Sequence, residues 1–133
     1  MATVHLEIFQ PQKVRLKDDF DHIIVPGVDG DFGIYSGHTP FITMLRPGVI
    51  TVYKGNKTKN YAVHDGFATV ENDNIVIVCE TIEAEEEIDV KRAKKAKQRA
   101  EKRLKAPPES SDIDFRRAEL ALKRALVRIN LKN

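Results

Sequence analysis

Pro26-Gly-Val-Asp-Gly-Asp-Phe-Gly-Ile-Tyr-Ser-Gly-His-Thr-Pro-Phe-Ile-Thr-Met-Leu-Arg-Pro-Gly48 holds five of the seven glycines and three of the six prolines of this chain. Glycine admits positive φ and close backbone approach, and proline fixes φ and removes a donor, so the block prescribes short strands joined by tight turns. It is not a flexible linker, because Phe32, Ile34, Tyr35, Phe41, Ile42, Met44 and Leu45 place apolar anchors between the turns.

Outward from this block, period two dominates through residue 82. Val4, Leu6 and Ile8 alternate with Thr3, His5 and Glu7, which puts the apolar side chains on one face of a strand. Ile50-Thr-Val-Tyr53 and Lys59-Asn-Tyr-Ala-Val63 flank the turn Lys54-Gly-Asn-Lys57, and Glu71-Asn-Asp-Asn74 precedes Ile75-Val-Ile-Val78. These are hairpin signals, and such a series of short strands predicts an all-β sandwich or barrel. Gly66-Phe67, inside the run from Val63 to Val70, predicts a bulge or corner.

After Glu83 the composition changes. From Ile88 to Lys105 there is neither Gly nor Pro, and Ala, Lys, Arg, Gln and Glu dominate, which predicts a helix over about 88–105. Glu83, Glu85, Glu86, Glu87 and Asp89 stand at its start and basic residues at its end, the order a helix macrodipole favours. Ala106-Pro-Pro-Glu-Ser-Ser111 breaks it. Ser111 is the expected N-cap of a second helix over about 112–130, with Asp114 as capping-box acid. Phe115, Ala118, Leu122, Ala125 and Ile129 form that helix's apolar stripe, and Ala93, Ala96, Ala100 and Leu104 form a thin one on the first. The expected organisation is therefore a β domain over residues 1–84 and an antiparallel helical hairpin over 85–133, closely packed but of modest stability.

The length of 133 residues suits one core with an appendage. No run is long and apolar enough to span a membrane, and the first residues do not form a secretory signal. The lone Cys79, in Ile75-Val-Ile-Val-Cys79, is expected to be a buried thiol. The net charge of +2 hides a division: residues 1–82 carry 7 basic against 10 acidic groups, and residues 83–133 carry 15 against 10. The second region therefore suits an acidic partner.

Catalytic chemistry finds no support. Ser36 and His38 lack an acid partner and a nucleophile-elbow context, and His5, His22, His38 and His64 are too scattered for a metal site. Gly27, Gly30 and Gly33 fit neither a dinucleotide fingerprint nor a P-loop. Arginine placement is more informative. Arg92, Arg99 and Arg103 fall within about 40° on a helical wheel at about 100° per residue, and Arg124 and Arg128 form an i, i+4 pair. A guanidinium holds phosphate or carboxylate bidentately, so an anion fits between the helices, with Asp89 available to a ribose hydroxyl or an amino donor. The alternative is a stand-alone module whose basic hairpin binds nucleic acid or another polyanion. The basic run has no aromatic residue for base stacking, and no nucleic-acid partner is expected.

Taken together, Val25 to Gly48, Ala62-Val-His-Asp-Gly-Phe-Ala-Thr-Val70, Ile88-Asp-Val-Lys-Arg-Ala93 and Asp114-Phe-Arg-Arg-Ala-Glu-Leu-Ala-Leu-Lys-Arg-Ala125 resemble, in order, the epsilon subunits of F-type ATP synthases, called delta in mitochondria. The resemblance implies a sandwich of about ten strands that clamps gamma onto the c ring, and a hairpin that regulates ATP hydrolysis by reaching toward the beta and alpha subunits. It further implies a non-catalytic central-stalk subunit, with no required cofactor, on the cytoplasmic face of a bacterial plasma membrane, peripheral through its complex. Asp31 and His38 match interface positions for gamma and the c ring. Glu83, Ile88, Asp89, Arg92, Ala93, Arg99, Arg124 and Arg128 match positions that bind regulatory ATP in some bacterial members. The proline-rich linker departs from any fixed pattern, so its hinge behaviour does not carry over.

Overall fold

A computed structural model describes residues 2–105 and 112–132, with side chains from Phe115 onward in the second segment. Eight strands come first: β1 (Val4–Gln10), β2 (Lys13–Phe20), β3 (His22–Gly27), β4 (Gly30–Tyr35), β5 (Phe41–Leu45), β6 (Gly48–Lys54), β7 (Lys57–Glu71) and β8 (Asn74–Ala84). The alternation in β1 is realised: Val4, Leu6 and Ile8 are fully buried. All pairings are antiparallel except β1 with β8.

The pairings build two layers. One runs β4, β3, β6, the first half of β7 and the second half of β8. The other runs β2, β1, the first half of β8, the second half of β7 and β5. The expected ten strands are thus eight continuous ones, because β7, of 15 residues, and β8, of 11, each serve both layers. The shared core holds Ile23, Val25, Ile34, Ile50, Val63, Ile75 and Ile77, among others.

The β7–β8 ribbon crosses between layers at a corner. Tyr61 and Val63 point into the core before it, and Ala68 and Val70 after it, so the inward parity reverses between Val63 and Ala68. The ladder register to β8 is unchanged throughout, which makes this a corner and not a bulge. Asp65 takes φ 53°, and at Gly66 an added Cβ would lie 2.2 Å from the Val78 carbonyl oxygen and 2.9 Å from Cys79 Cα. Backbone offers no such space, so residue 66 must be glycine. At the Asn72-Asp73 hairpin tip both residues have positive φ, as a type I′ turn requires. Asp73 then accepts from Ser36 Oγ at 2.8 Å and from Gly37 N at 2.7 Å, tying the Gly/Pro block to this tip.

A 3-10 turn (Glu85–Glu87) leads into α1 (Val90–Leu104), and α2 (Asp112–Lys132) packs on α1 and reaches β6 and β7. Among the described residues, the buried members of α1 and α2 are all alanines: Ala93, Ala100, Ala118 and Ala125. Leu104, Leu122 and Ile129 are half-buried. Phe115, expected on the α2 stripe, is exposed. The expected Ser111 cap and Asp114 capping-box contact, with the linker 106–111, lie outside the described residues.

Gly66→Ala should destabilise the chain by about 1–3 kcal/mol, the usual range for forcing an atom into filled space. Gly33→Ala, whose new Cβ would meet only the end of the Tyr35 ring at 3.3 Å, should change stability little. Urea denaturation of both variants checks this.

Candidate functional site

Four successive residues of β7, Tyr61 to His64, are buried, so both faces of the strand are covered there. Tyr61 and Val63 face the sandwich core. Ala62 and His64 face the other way, with Glu83 and Thr81 opposite them on β8, and this second face is the one α2 packs against. Two ion pairs fasten α2 to it: Arg124 donates to Asp65, and Arg128 donates to Glu83. Each pair is about one-quarter to two-fifths exposed, so each contributes on the order of 1 kcal/mol or less. Between them sits His64, 1% exposed, with both ring nitrogens unpartnered among the described residues. Burial first, then Arg128 and Arg124, hold its pKa down to about 4, against the weaker opposing effect of Asp65. The ring is therefore neutral at pH 7.

Beside this clasp a cleft of about 590 Å³ opens between the hairpin and β8. Thr81 and Glu83 of β8, Glu87 of the 3-10 turn, Asp89 just before α1, Arg92, Ala93, Ala96 and Arg99 of α1, and Arg128 of α2 line it. Six of the eight expected ligand positions are brought together here: Glu83, Asp89, Arg92, Ala93, Arg99 and Arg128. Ile88 is 5% exposed and anchors the start of α1 without lining the cleft. Arg124 also lies outside the lining, held by Asp65. Three guanidinium groups and three carboxylates thus face one space, a donor set for a ligand that carries both anionic oxygens and hydrogen-bond donors.

The carboxylates already have partners. Asp89 is the N-cap of α1, its Oδ1 accepting from Arg92 N at 3.1 Å. Glu87 accepts from Ala84 N at 2.9 Å and from Arg15 of β2, and Glu83 holds Arg128. The acidic run stands ahead of the first turn of α1, at the helix start where the sequence places it. That turn contains no acid, because Glu85–Glu87 form their own 3-10 turn and Glu86 and Glu87 pair with Lys59 and Arg15. Thr81, Glu87, Ala96, His64 and Asp65 were missed. The β7–β8 register carries the signal for Thr81, His64 and Glu83, but it is visible only once the corner is located.

Asp31 and His38 do not form one site. Asp31 is the second residue of β4 and is bound by Arg46, which also donates to the Gly27 carbonyl. His38 follows the other end of β4, where Nδ1 donates to Thr39 O at 2.8 Å and the ring lies 4.9 Å from that of Phe41. Ser36 does have an acid partner, Asp73, yet neither bonds His38. No group of three or more metal-ligating side chains occurs among the described residues. Cys79 is 3% exposed, and burial pushes its thiol up to about 11, which keeps it unreactive.

On the outer face of the second layer the registers set Met44, Phe67, Val78, Phe9 and Val14 side by side across β5, β7, β8, β1 and β2. Met44 and Val14 are more than half exposed, as are Ile42 and Val28 nearby. A contiguous apolar row of this kind on a sheet face marks an interaction surface.

A two-layer β domain with a clasped, basic helical hairpin and an apolar outer face defines a subunit-like chain, built to contact other proteins. Residues 3–85 match the family described as ATP synthase, Delta/Epsilon chain, beta-sandwich domain, and residues 86–133 match its long alpha-helix domain. The ATP synthase epsilon chain of Desulforamulus reducens is 44% identical over 127 residues, 96% of this chain and 95% of the relative. That of Nitratidesulfovibrio vulgaris is 38% identical over 130 residues, 98% and 96%. A chain in the cryo-EM structure of Euglena gracilis mitochondrial ATP synthase, OSCP/F1/c-ring, superposes with TM-score 0.85 at 25% identity, over 96% of this chain and 79% of that one. The chain belongs to the ATP synthase delta/epsilon family, and it is a non-catalytic subunit. Among the described residues no helix is long and apolar enough to cross a membrane.

Asp89→Ala should cost about 1 kcal/mol of hairpin stability through loss of the cap, seen as reduced helical circular dichroism. Asp89→Asn should retain most of it, since asparagine caps equally well.

Proposed function

We propose that the cleft binds ATP as a regulatory ligand without hydrolysing it, and that the hairpin is the arm through which this subunit restrains ATP hydrolysis by its complex. The observation that carries the reading is the convergence of Glu83, Asp89, Arg92, Ala93, Arg99 and Arg128 on one cleft between two helices and a strand. Triphosphate oxygens suit the guanidinium groups of Arg92, Arg99 and Arg128. The carboxylates of Glu83 and Asp89 suit the adenine amino group or a ribose hydroxyl. A ligand that touches α1, α2 and β8 together favours the docked hairpin only by its differential affinity for that state. When ATP falls, the released basic hairpin extends along gamma toward the beta and alpha subunits.

The sandwich supplies the fixed half of this reading, the central-stalk coupling of gamma to the c ring. The apolar row from Met44 to Val14 suits a large neighbouring chain, and Asp31 and His38, at opposite ends of β4, suit two separate contact points. As part of the assembled synthase the subunit works on the cytoplasmic face of a bacterial plasma membrane. The bacterial relatives, named as ATP synthase epsilon chains, support this placement, and the lack of a base-stacking aromatic in the basic run weighs against the polyanion-binding alternative.

Calorimetric titration of the isolated chain with ATP should give saturable binding that Arg92→Ala weakens at least tenfold. No saturation at millimolar ATP, or equal binding by the variant, would overturn the ligand assignment. Separately, Phe67→Glu in the apolar row should sharply reduce co-purification with gamma while leaving ATP titration unchanged.

A further inference from the structure

The hairpin-facing side of β7 contains a group that the proposed ligand does not use. His64 is buried under α2, has no hydrogen-bond partner among the described residues, and lies between the Arg124–Asp65 and Arg128–Glu83 pairs. A buried polar ring without partners costs stability, so packing alone is a poor reason for its presence. We infer that His64 is an acid-sensitive latch: neutral, it lets α2 close over β7, and protonated, it drives the hairpin off the sheet. The inference rests on the hairpin being an arm that can leave the sheet, and is independent of which ligand holds it.

The charges around His64 set the direction. From α2, Arg124 and Arg128 face it. From its own strand Asp65 opposes them, but Asp65 is engaged by Arg124. From β8, Thr81 stands opposite and Glu83 is engaged by Arg128. β6, the other neighbour of this part of β7, sets Val49 opposite Ala62 and Thr51 opposite Asn60, and adds no charge. An imidazolium under α2 would thus be a third cation beside two guanidinium groups whose carboxylates are already committed. Undocking exposes it to water and separates it from both arginines.

The docked ring has a pKa lowered from 6.5 to about 4, and the exposed ring of the undocked state returns to the ordinary histidine value. His64 therefore favours docking fully above the undocked value, and that contribution is lost as pH falls from about 6.5 toward 4. Linkage between these two values weakens the docking equilibrium about twentyfold between pH 7 and pH 5. His5, the other histidine with a shifted value, is raised by its bond to Asp19 and lies on β1.

The test is hydrogen exchange of α2 amides in the full chain without nucleotide, corrected for the intrinsic pH dependence, at pH 7, 6 and 5. The expected result is a hairpin opening constant about twentyfold larger at pH 5 than at pH 7 by linkage, with β1 and β8 core amides unaffected. His64→Gln and His64→Leu should each abolish the pH dependence; having two variants guards against one that misfolds. Opening that is pH-independent in the wild type, or equally pH-dependent in both variants, overturns the latch alone. Opening of α2 only together with the β core overturns the latch and also the reading of the hairpin as a separate arm.

Discussion

The cover that α2 places over the second face of the β7–β8 ribbon governs the arrangement of this molecule. A ribbon that turns a corner between two layers has one face in the core; over Tyr61 to His64 the opposite face is closed by the hairpin instead of by a sheet. Little apolar area is available for that closure. The buried helix residues are alanines, and each methylene absent relative to leucine forfeits about 0.8 kcal/mol of burial. Arg124 to Asp65 and Arg128 to Glu83 therefore supply much of what distinguishes the docked arrangement from any other. Their partial exposure keeps that contribution modest.

Modest attachment is what a regulatory arm requires. A hairpin sealed by a leucine core would stay closed whatever the ligand, and one without the clasp would not define a cleft. Here the residue that closes the clasp, Arg128, also lines the cleft, so attachment and the proposed ligand recognition share a side chain. The sandwich behaves oppositely. Its corner admits only glycine at residue 66, its hairpin tip is tied to the Gly/Pro block through Asp73, and Arg46 braces the β3–β4 end. In the proposed function, rigidity in one half serves mechanical coupling and weak attachment of the other serves regulation.

Much of this is legible in the sequence. Period two in Val4, Leu6 and Ile8 and the composition change after Glu83 separate sheet from helix because local periodicity and propensity report local structure. The alanine stripes likewise report the thin seam. The count of strands was not legible, since the corner at Asp65-Gly66 leaves a continuous ladder and lets two strands serve two layers. Of the proposed ligand positions, Arg92, Arg99, Arg124, Arg128 and Asp89 are legible from residue type and helical placement, whereas Glu83 came only through family resemblance: nothing in spacing sets Glu83 against Arg128, 45 residues away. His64 was hidden for the same reason. Inside Ala62-Val-His-Asp it reads as an interruption of an apolar run, and its burial depends on a helix some sixty residues later in the chain. The acidic run reads correctly as the start of the helical region, but its pairing of Glu86 and Glu87 with cations on β7 and β2 is non-local and invisible to helix-dipole logic.

The central claim, that charge pairs hold a separable hairpin against the β domain, is tested most directly by solution X-ray scattering of the isolated chain and of a variant carrying Asp65→Ala and Glu83→Ala. The account predicts a compact wild type and a variant with a larger radius of gyration whose β core melts as before. An unchanged radius in a variant that retains its β core would contradict it.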